Sequence, residues 1–321
     1  MDFKISVVIP IFNRQDLIIE TLDSIERQSL RPFEVIVVDD QSTDNSASVV
    51  NHYAATSKLT INLIKNKRRK GMCGALNTGI EYAQGEYIAF QDSDDLWTTT
   101  HLQQLLSAID IYSQASIAFS KIEIFGNAND VIQKMNDFKI SVSRCLEVAF
   151  EKKDKKIWLS NKNLLYALLQ WGFPFRCQAS LIKRDLFFKY NLFFDEEITY
   201  TLDSQFMTMA AYYTPFIFVE EIGLKLRRHL ENEGDIVYGD KIIKSYEIRV
   251  AKLKEFFSKN KINRVEKKAL KYRLWSLQAY VLETKSKYKN IKTKIKEAVI
   301  LFLKVPSFMS IKSIIKLLLE R

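Results

Sequence analysis

Four continuous apolar runs alternate with helical segments in the N-terminal third of the chain, and this alternation restricts the possible folds more than any other feature. Lys4–Pro10, Phe33–Asp39, Leu59–Lys65 and Glu86–Gln91 read as strands. Between them, Arg14–Gln28 carries Leu17, Ile18, Leu22 and Ile25 at helical spacing, and Ser42, Thr43 and Asp44 supply N-cap chemistry for a helix to about Ala55. Gly74–Ala83 completes the series as a third helix. Strands that are apolar throughout are buried on both faces, so the pattern predicts an α/β fold with a mostly parallel sheet flanked by helices. In such sheets ligands sit at the carboxyl ends of the strands. Asp39-Asp40 and Asp92-Ser93-Asp94-Asp95 both fall at strand carboxyl ends, which should place the two acidic clusters along one cleft.

Three carboxylates within the four positions Asp92–Asp95 repel one another unless a cation, donors or helix N-termini offset them. A hard divalent ion, Mg²⁺ or Mn²⁺, suits carboxylate oxygens and shares its remaining positions with substrate phosphates. The competing reading is a capped turn, with Asp94 or Asp95 at the N-cap of a helix starting near Thr98–Thr100. Taken alone, the cluster leaves the two open.

At 321 residues, 47% of them hydrophobic and 27% charged, the chain has room for one large domain or one and a half. Its formal charge of +10 is uneven: residues 241–321 hold 22 Lys/Arg against 6 Asp/Glu. The basic character therefore belongs to the C-terminal part. Cys73, Cys145 and Cys177 are odd in number and far apart, which suggests neither a disulfide framework nor a zinc site and fits a reducing cytosol. Ile5–Ile11 is too short and too β-branched for a signal peptide, and no apolar segment approaches the roughly 20 residues of a membrane span.

Beyond the fourth strand the pattern predicts a strand over Ser116–Phe125, then a polar irregular stretch over 126–156. Further strands are expected at Gln178–Ile182, Phe216–Glu220 and Leu224–His229, with helices at Arg184–Tyr190 and Asp203–Tyr213. From Asp235 onward the chain reads as helical and basic.

The order Val7-Val-Ile-Pro-Ile-Phe-Asn13, Glu34-Val-Ile-Val-Val-Asp-Asp-Gln-Ser-Thr-Asp44, Ala75-Leu-Asn-Thr-Gly79 and Gly85-Glu-Tyr-Ile-Ala-Phe-Gln-Asp-Ser-Asp-Asp95 resembles the inverting family 2 glycosyltransferases of the GT-A fold, of the bacterial surface-polysaccharide type. The resemblance runs from residue 4 to about 230. It implies a catalytic domain over 1–234, divided into a nucleotide-sugar-binding half (1–115) and an acceptor-side half (116–234), followed by a basic helical region over 235–321.

By position, the resemblance implies that Pro10, Phe12 and Asn13 shape the base and ribose pocket and that Asp40, with Asp39 beside it, binds the base edge. A carboxylate can accept from a uracil or guanine N–H, whereas adenine has no such ring donor at neutral pH. Asp92 and Asp94 match the D-x-D pair that holds Mn²⁺ or Mg²⁺, with Asp94 as the direct ligand and Asp92 nearer the ribose or a metal-bound water. Asp95 is left to cap or orient. Asp203, in Thr201-Leu-Asp-Ser-Gln-Phe206, matches the catalytic base, although Leu202 and Gln205 stand where the family usually has acids. As plain sequence, Asp203 reads equally as the N-cap of its helix.

Arg227-Arg228-His229 resembles the family's R-x-H box, giving Arg227 to the diphosphate and His229 to the metal or phosphate. Glu196 and Trp171 fall on the implied acceptor side. The basic loop Lys65–Lys70 is suited to attract the donor diphosphate, and Leu76 replaces an arginine common in the family.

The implied partners are a nucleotide-sugar donor, UDP-sugar ahead of GDP- or dTDP-sugar, and a saccharide or lipid-linked acceptor. No nucleic acid is expected. Phe308, Ile311, Ile315 and Leu318 form an apolar stripe beside Lys312 and Lys316, which fits either an amphipathic helix on anionic lipid or a helix bundled on the catalytic domain. The expected location is the cytoplasm, with peripheral attachment to the inner membrane face under the first of these. Two rival functions compete with this reading. A sugar-phosphate nucleotidyltransferase needs a Gly-rich, Arg-containing loop after the first strand, which Ile9–Arg14 lacks. A non-catalytic basic protein with a degenerate transferase domain is disfavoured by intact Asp40, Asp92, Asp94 and Asp203.

Overall fold

Val7, Ile9 and Ile11 point to one side of the first strand and Val8 to the other, and all four are buried. This two-sided burial places strand β1 (Ile5–Ile11) inside a sheet rather than at its edge. The computed structural model describes residues 4–126, 142–172, 176–228 and 239–286. The chain divides into two units, one of Met1–Glu196 and Leu202–Asn232, the other of Glu197–Thr201 and Glu233–Arg321.

In the first unit β1 is followed by α1 (Ile18–Glu26), β2 (Glu34–Asp39), α2 (Ser46–Thr56), β3 (Ile61–Lys65), α3 (Met72–Tyr82) and β4 (Tyr87–Phe90). After these come β5 (Leu96–Trp97), α4 (His101–Ile111), β6 (Ile117–Gly126), β7 (Phe150–Lys152), β8 (Ile157–Ser160), β9 (Ser180–Lys183) and β10 (Phe216–Arg228). The sheet order is β3-β2-β1-β4-β9-β6-β10-β8-β7, and β5 pairs with β10. Strands β3, β2, β1 and β4 run parallel. Past β4 the sheet is mixed, because β9 lies antiparallel between β4 and β6.

Period-two alternation divides the strands between two apolar layers. Val8, Ile36, Val38, Ile88 and Phe90 face Phe119, Phe187 and Phe206 in one layer. Val7, Ile9, Val35, Val37 and Ala89 face Ile18, Leu22 and Leu105 in the other. Helix α3 approaches β1 so closely that a Cβ added at Gly79 would lie 2.2 Å from Val8 Cγ1. Alanine has better helix propensity by about 1 kcal/mol, but Val8 is buried and cannot yield. Gly79→Ala is therefore expected to destabilise the protein by about 1–3 kcal/mol, read as a lower urea midpoint with an unchanged slope.

Several boundaries differ from the sequence reading. The two strands expected over 216–229 form one strand, β10, whose register shifts near Ile222 let it continue past Glu220-Glu221. The stretch expected to be irregular contains a helical segment at 142–149 and begins the β7–β8 hairpin. Helix α1 starts at Ile18 rather than Arg14, because residues 14–17 form a turn in which Leu17 N–H donates to Arg14 O.

In the second unit, helices Gly239–Lys259 and Arg264–Ser286 pack through Tyr246 and Tyr280, whose rings lie 4.6 Å apart. The second helix begins with a reciprocal cap: Asn263 Oδ1 accepts from Glu266 N, and Glu266 Oε2 accepts from Asn263 N. The segment Glu197–Thr201 belongs to this unit. Ser245 Oγ accepts from Thr199 N at 2.9 Å and from Tyr200 N at 3.2 Å, and Arg249 Nη1 donates to Thr201 Oγ1 at 3.1 Å. Thr201 sits at φ 61°, an uncommon conformation for a β-branched residue. No helix among the described residues is long and apolar enough to cross a membrane. The apolar stripe over Phe308–Leu318 lies outside the described residues.

Candidate active site

The carboxyl end of β4 releases the chain into Asp92–Asp95, where one oxygen from each of Asp92, Asp94 and Asp95 falls within 4.8 Å of the others. The capped-turn reading does not describe this cluster. Helix α4 starts at His101, and its N-cap position, Thr100, makes no side-chain capping bond. Asp95 Oδ1 instead accepts from the backbone N–H of Arg227 at 2.8 Å, and its carbonyl accepts from Thr21 Oγ1 at 2.9 Å. This ties the acidic turn to β10 and α1. Asp95 Oδ2 is buried with no hydrogen-bond partner among the described residues.

Such crowding has an electrostatic cost. Burial raises the Asp92 carboxyl well above its ordinary range, and the charges of Asp95, Asp94 and Asp203 add to the effect. Asp95 is pushed up to about 7, first by burial and then by Asp94, against the Arg227 N–H and the charges of Arg176 and Arg227. An all-oxygen cluster with an orphaned buried carboxylate oxygen fits a hard divalent cation, which would relieve both the repulsion and the unmet acceptor. Arg14 Nε lies 3.8 Å from Asp94 Oδ2, and Arg227 Nε donates to Asp94 O at 2.8 Å. Arg227 also pairs with Glu20 at 2.6 Å. His229 lies outside the described residues.

At the end of β1 the chain turns sharply. Pro10 is buried within the strand, Phe12 is exposed, and Asn13 takes a left-handed φ of 53°. Asn13 Oδ1 accepts from Thr43 N at 2.8 Å, which locks this turn to the loop after β2. In that loop Asp39 Oδ1 accepts from Ser42 N at 3.0 Å. Asp40 accepts from Asn66 Nδ2 at 2.6 Å and from Gly71 N at 2.7 Å, so it anchors the basic loop at the start of α3. Lys70 Nζ lies 4.7 Å from the centre of the Phe12 ring.

Glu196 faces the same loop. Its carboxylate receives Arg68 Nη1 at 2.6 Å, Arg69 N at 3.3 Å and Asn77 Nδ2 at 3.1 Å. Asn77 also exchanges two hydrogen bonds with the backbone of Phe194. Leu76, at the position where an arginine was expected, is buried in the apolar layer of Phe90 and Phe119. Trp171 ends the helix Leu164–Trp171, partly buried against the same layer, with its ring 5.9 Å from Tyr166. Phe173, Pro174 and Phe175 lie outside the described residues.

Asp203 lies in the first turn of the helix Leu202–Ala210, where the helix dipole favours a carboxylate. It is buried, and burial raises its pKa; the Arg176 charge and hydrogen bonds from the Cys177 thiol and N–H oppose that rise. Its charge in turn reaches Asp92. The donor-side cluster and Asp203 are thus electrostatic neighbours, joined by a segment that sequence reasoning did not single out. In that segment Gln178 Nε2 donates to Asp92 Oδ2 at 2.5 Å. Arg14, Asn66, Arg176, Cys177 and Gln178 were all missed as site residues. Only Arg14, a cation directly after the Phe12-Asn13 turn, carried a local signal.

Comparison with known proteins gives the family and the fold. The model for glycosyl transferase family 2 matches residues 6–187, more than half of the chain. The chain belongs to that family. It is 42% identical over 129 residues to the amylovoran biosynthesis glycosyltransferase AmsB of Erwinia amylovora, a match covering 36% of this chain and 42% of that protein. It is 32% identical over 146 residues to the Escherichia coli UDP-Glc:alpha-D-GlcNAc-diphosphoundecaprenol beta-1,3-glucosyltransferase WfgD, covering 46% of this chain and 56% of that protein. The chain therefore spans about half the length of these relatives. Among solved structures, residues 1–349 of S. aureus TarS in complex with UDP-GlcNAc superpose with a TM-score of 0.61 at 19% identity, covering 98% of this chain and 89% of that one. That likeness establishes the shared α/β fold.

Proposed function

We propose that this protein transfers a sugar, with inversion, from a UDP-sugar to a saccharide or lipid-linked acceptor in bacterial surface polysaccharide or glycolipid synthesis. The observation that carries the reading is the convergence of two acidic groups with different surroundings, one half-buried to buried and the other buried. Asp92–Asp95 form an oxygen cluster at the end of β4, and Asp203 stands apart from it in the first turn of its own helix. The family assignment supports the same reading, and WfgD is named for a UDP-Glc donor and a diphosphoundecaprenol-linked acceptor.

In this proposal Asp94, with Asp92 in support, holds Mn²⁺ or Mg²⁺, which supplies Lewis-acid compensation of the charge on the departing nucleoside diphosphate. Phe12 and Asn13 wall the base and ribose, and Asp40 and Asp39 border the base edge. Arg14 and Arg227 bring positive charge to the diphosphate side. Asp203 accepts the acceptor hydroxyl proton as the acceptor oxygen bonds to the anomeric carbon and the bond to the diphosphate breaks. Its raised pKa makes it a better base than a solvated carboxylate. Peripheral attachment at the membrane, where lipid-linked acceptors reside, is part of the proposal.

A thermal-shift screen of nucleoside diphosphates with and without Mn²⁺ tests the donor and the metal together. UDP with Mn²⁺ is expected to give the largest rise in Tm, equivalent to about 2.7 kcal/mol at a hundredfold excess over Kd. Equal shifts for ADP and UDP, or shifts that ignore Mn²⁺, would overturn the donor and metal assignments respectively.

A further inference from the structure

We propose that Gln178 is a positioning residue for Asp92: it grips the acidic turn at both ends and directs the Asp92 carboxylate to the metal side of the donor site. The proposal rests on the reading of Asp92–Asp95 as a metal-holding turn. Gln178 Nε2 donates to Asp92 Oδ2 at 2.5 Å, and Gln178 O accepts from Trp97 Nε1 at 2.9 Å. Asp92 and Trp97 flank the turn in sequence, so one residue holds the chain both where it enters the cluster and where it leaves.

Strand pairing brings Gln178 to this place. Strands β4 and β9 run antiparallel, with Tyr87 opposite Lys183 and Ala89 opposite Leu181. Carried onward from Ala89, the same register sets Asp92 opposite Gln178. The backbone around Gln178 is fixed without its side chain. Arg176 O accepts from Ala179 N at 3.1 Å, Cys177 O from Ser180 Oγ at 2.6 Å, and Ala179 O from Ser120 Oγ at 3.4 Å. The amide therefore reaches Asp92 from a fixed base, and a change of side chain leaves these bonds in place.

The amide is an expensive way to fill this space. A carboxylate only accepts, so the amide nitrogen faces Asp92 and the amide oxygen is turned away from it. Gln178 is 7% exposed, and its Oε1 is buried with no hydrogen-bond partner among the described residues. An unpaired buried carbonyl is unfavourable, and an apolar side chain of the same length would avoid it. What glutamine adds is a directed donor. With Oδ2 of Asp92 occupied, Oδ1 is the oxygen left for a metal-bound water. Asp95 is fixed in the same manner at the other side of Asp94, through the Arg227 N–H on its Oδ1.

The test measures binding on the full chain, by calorimetric titration with UDP in the presence and absence of Mn²⁺. Gln178→Met keeps the length of the side chain and removes the donor. It is expected to weaken UDP binding with Mn²⁺ on the order of 10- to 100-fold. Binding of UDP without metal should stay within about twofold, because the walls of the base site are untouched. A double-mutant cycle then separates positioning from a general structural role. In the Asp92→Ala background, Gln178→Met should cost no more than about twofold further, since the group it positions is gone.

Unchanged Mn²⁺-dependent affinity in Gln178→Met, equal losses with and without Mn²⁺, or losses that multiply in the double variant would each overturn the proposal. The cycle keeps its meaning even if Gln178→Met lowers Tm, because a loss of packing does not depend on the Asp92 carboxylate. Unchanged Mn²⁺-dependent affinity in Asp92→Ala overturns the assignment of Asp92 to the metal side, whereas a loss there with none in Gln178→Met overturns this proposal alone.

Discussion

Asp203→Asn is expected to lower sugar transfer by about two to four orders of magnitude while leaving the protein at least as stable as the wild type at neutral pH. The two effects share a cause. Burial raises the Asp203 pKa above its ordinary 3.8, so the folded protein holds that proton more tightly than the unfolded chain does. The resulting stability penalty is absent below the unfolded pKa, grows as pH rises through it, and is complete above the raised folded pKa. Asparagine keeps an acceptor oxygen for Cys177 and carries no charge. The Tm of the variant should therefore exceed that of the wild type at pH 8, with the margin shrinking toward pH 4. Transfer assays and melts across that range check both parts; a variant that is inactive but less stable at pH 8 would assign Asp203 a structural role.

The second large effect is expected at Asp94. Asp94→Asn should reduce transfer by at least about a hundredfold and remove most of the Mn²⁺-dependent gain in UDP affinity. Nucleotide binding without metal should change little, because Asp94 borders the metal side of the site rather than the base. The substitution also releases the charge facing Arg14 Nε. Calorimetric titration with UDP, with and without Mn²⁺, separates the two contributions. An unchanged response to Mn²⁺ would exclude Asp94 as a ligand.

How much of this was legible in the sequence depends on the range of the interactions. Strands β1 to β4 and helices α1 to α3 were readable because Val7-Val8-Ile9 and Glu34–Asp39 announce two-sided burial locally, and the acidic groups could be placed because they end those strands. The mixed half was less legible. Glu220-Glu221 looks like the end of a strand, yet β10 continues through it by shifting register. The bond from Gln178 to Asp92 spans 86 positions, and no local pattern announces it. In the sequence Asp95 was left to cap or orient; its partner, the N–H of Arg227, lies 132 positions away. Of the residues missed, Arg176, Cys177 and Gln178 precede β9, and their place at the site depends on β9 entering the sheet beside β4.

That insertion has a consequence for how the chain assembles. Before residues 180–183 are available, β4 and β6 have no strand between them, and the parallel ladder β3-β2-β1-β4 ends at β4; β10, at Phe216–Arg228, emerges later still. That ladder would present β4 as an unpaired edge, the kind of surface that recruits other chains. During synthesis β4 emerges roughly ninety residues ahead of the strand that covers it, so non-local pairing must wait on chain growth. The acidic turn after β4 is highly charged, and like charges discourage edge-to-edge pairing. In the nascent chain, the carboxylates of Asp92–Asp95 would thus guard an open edge until β9 arrives.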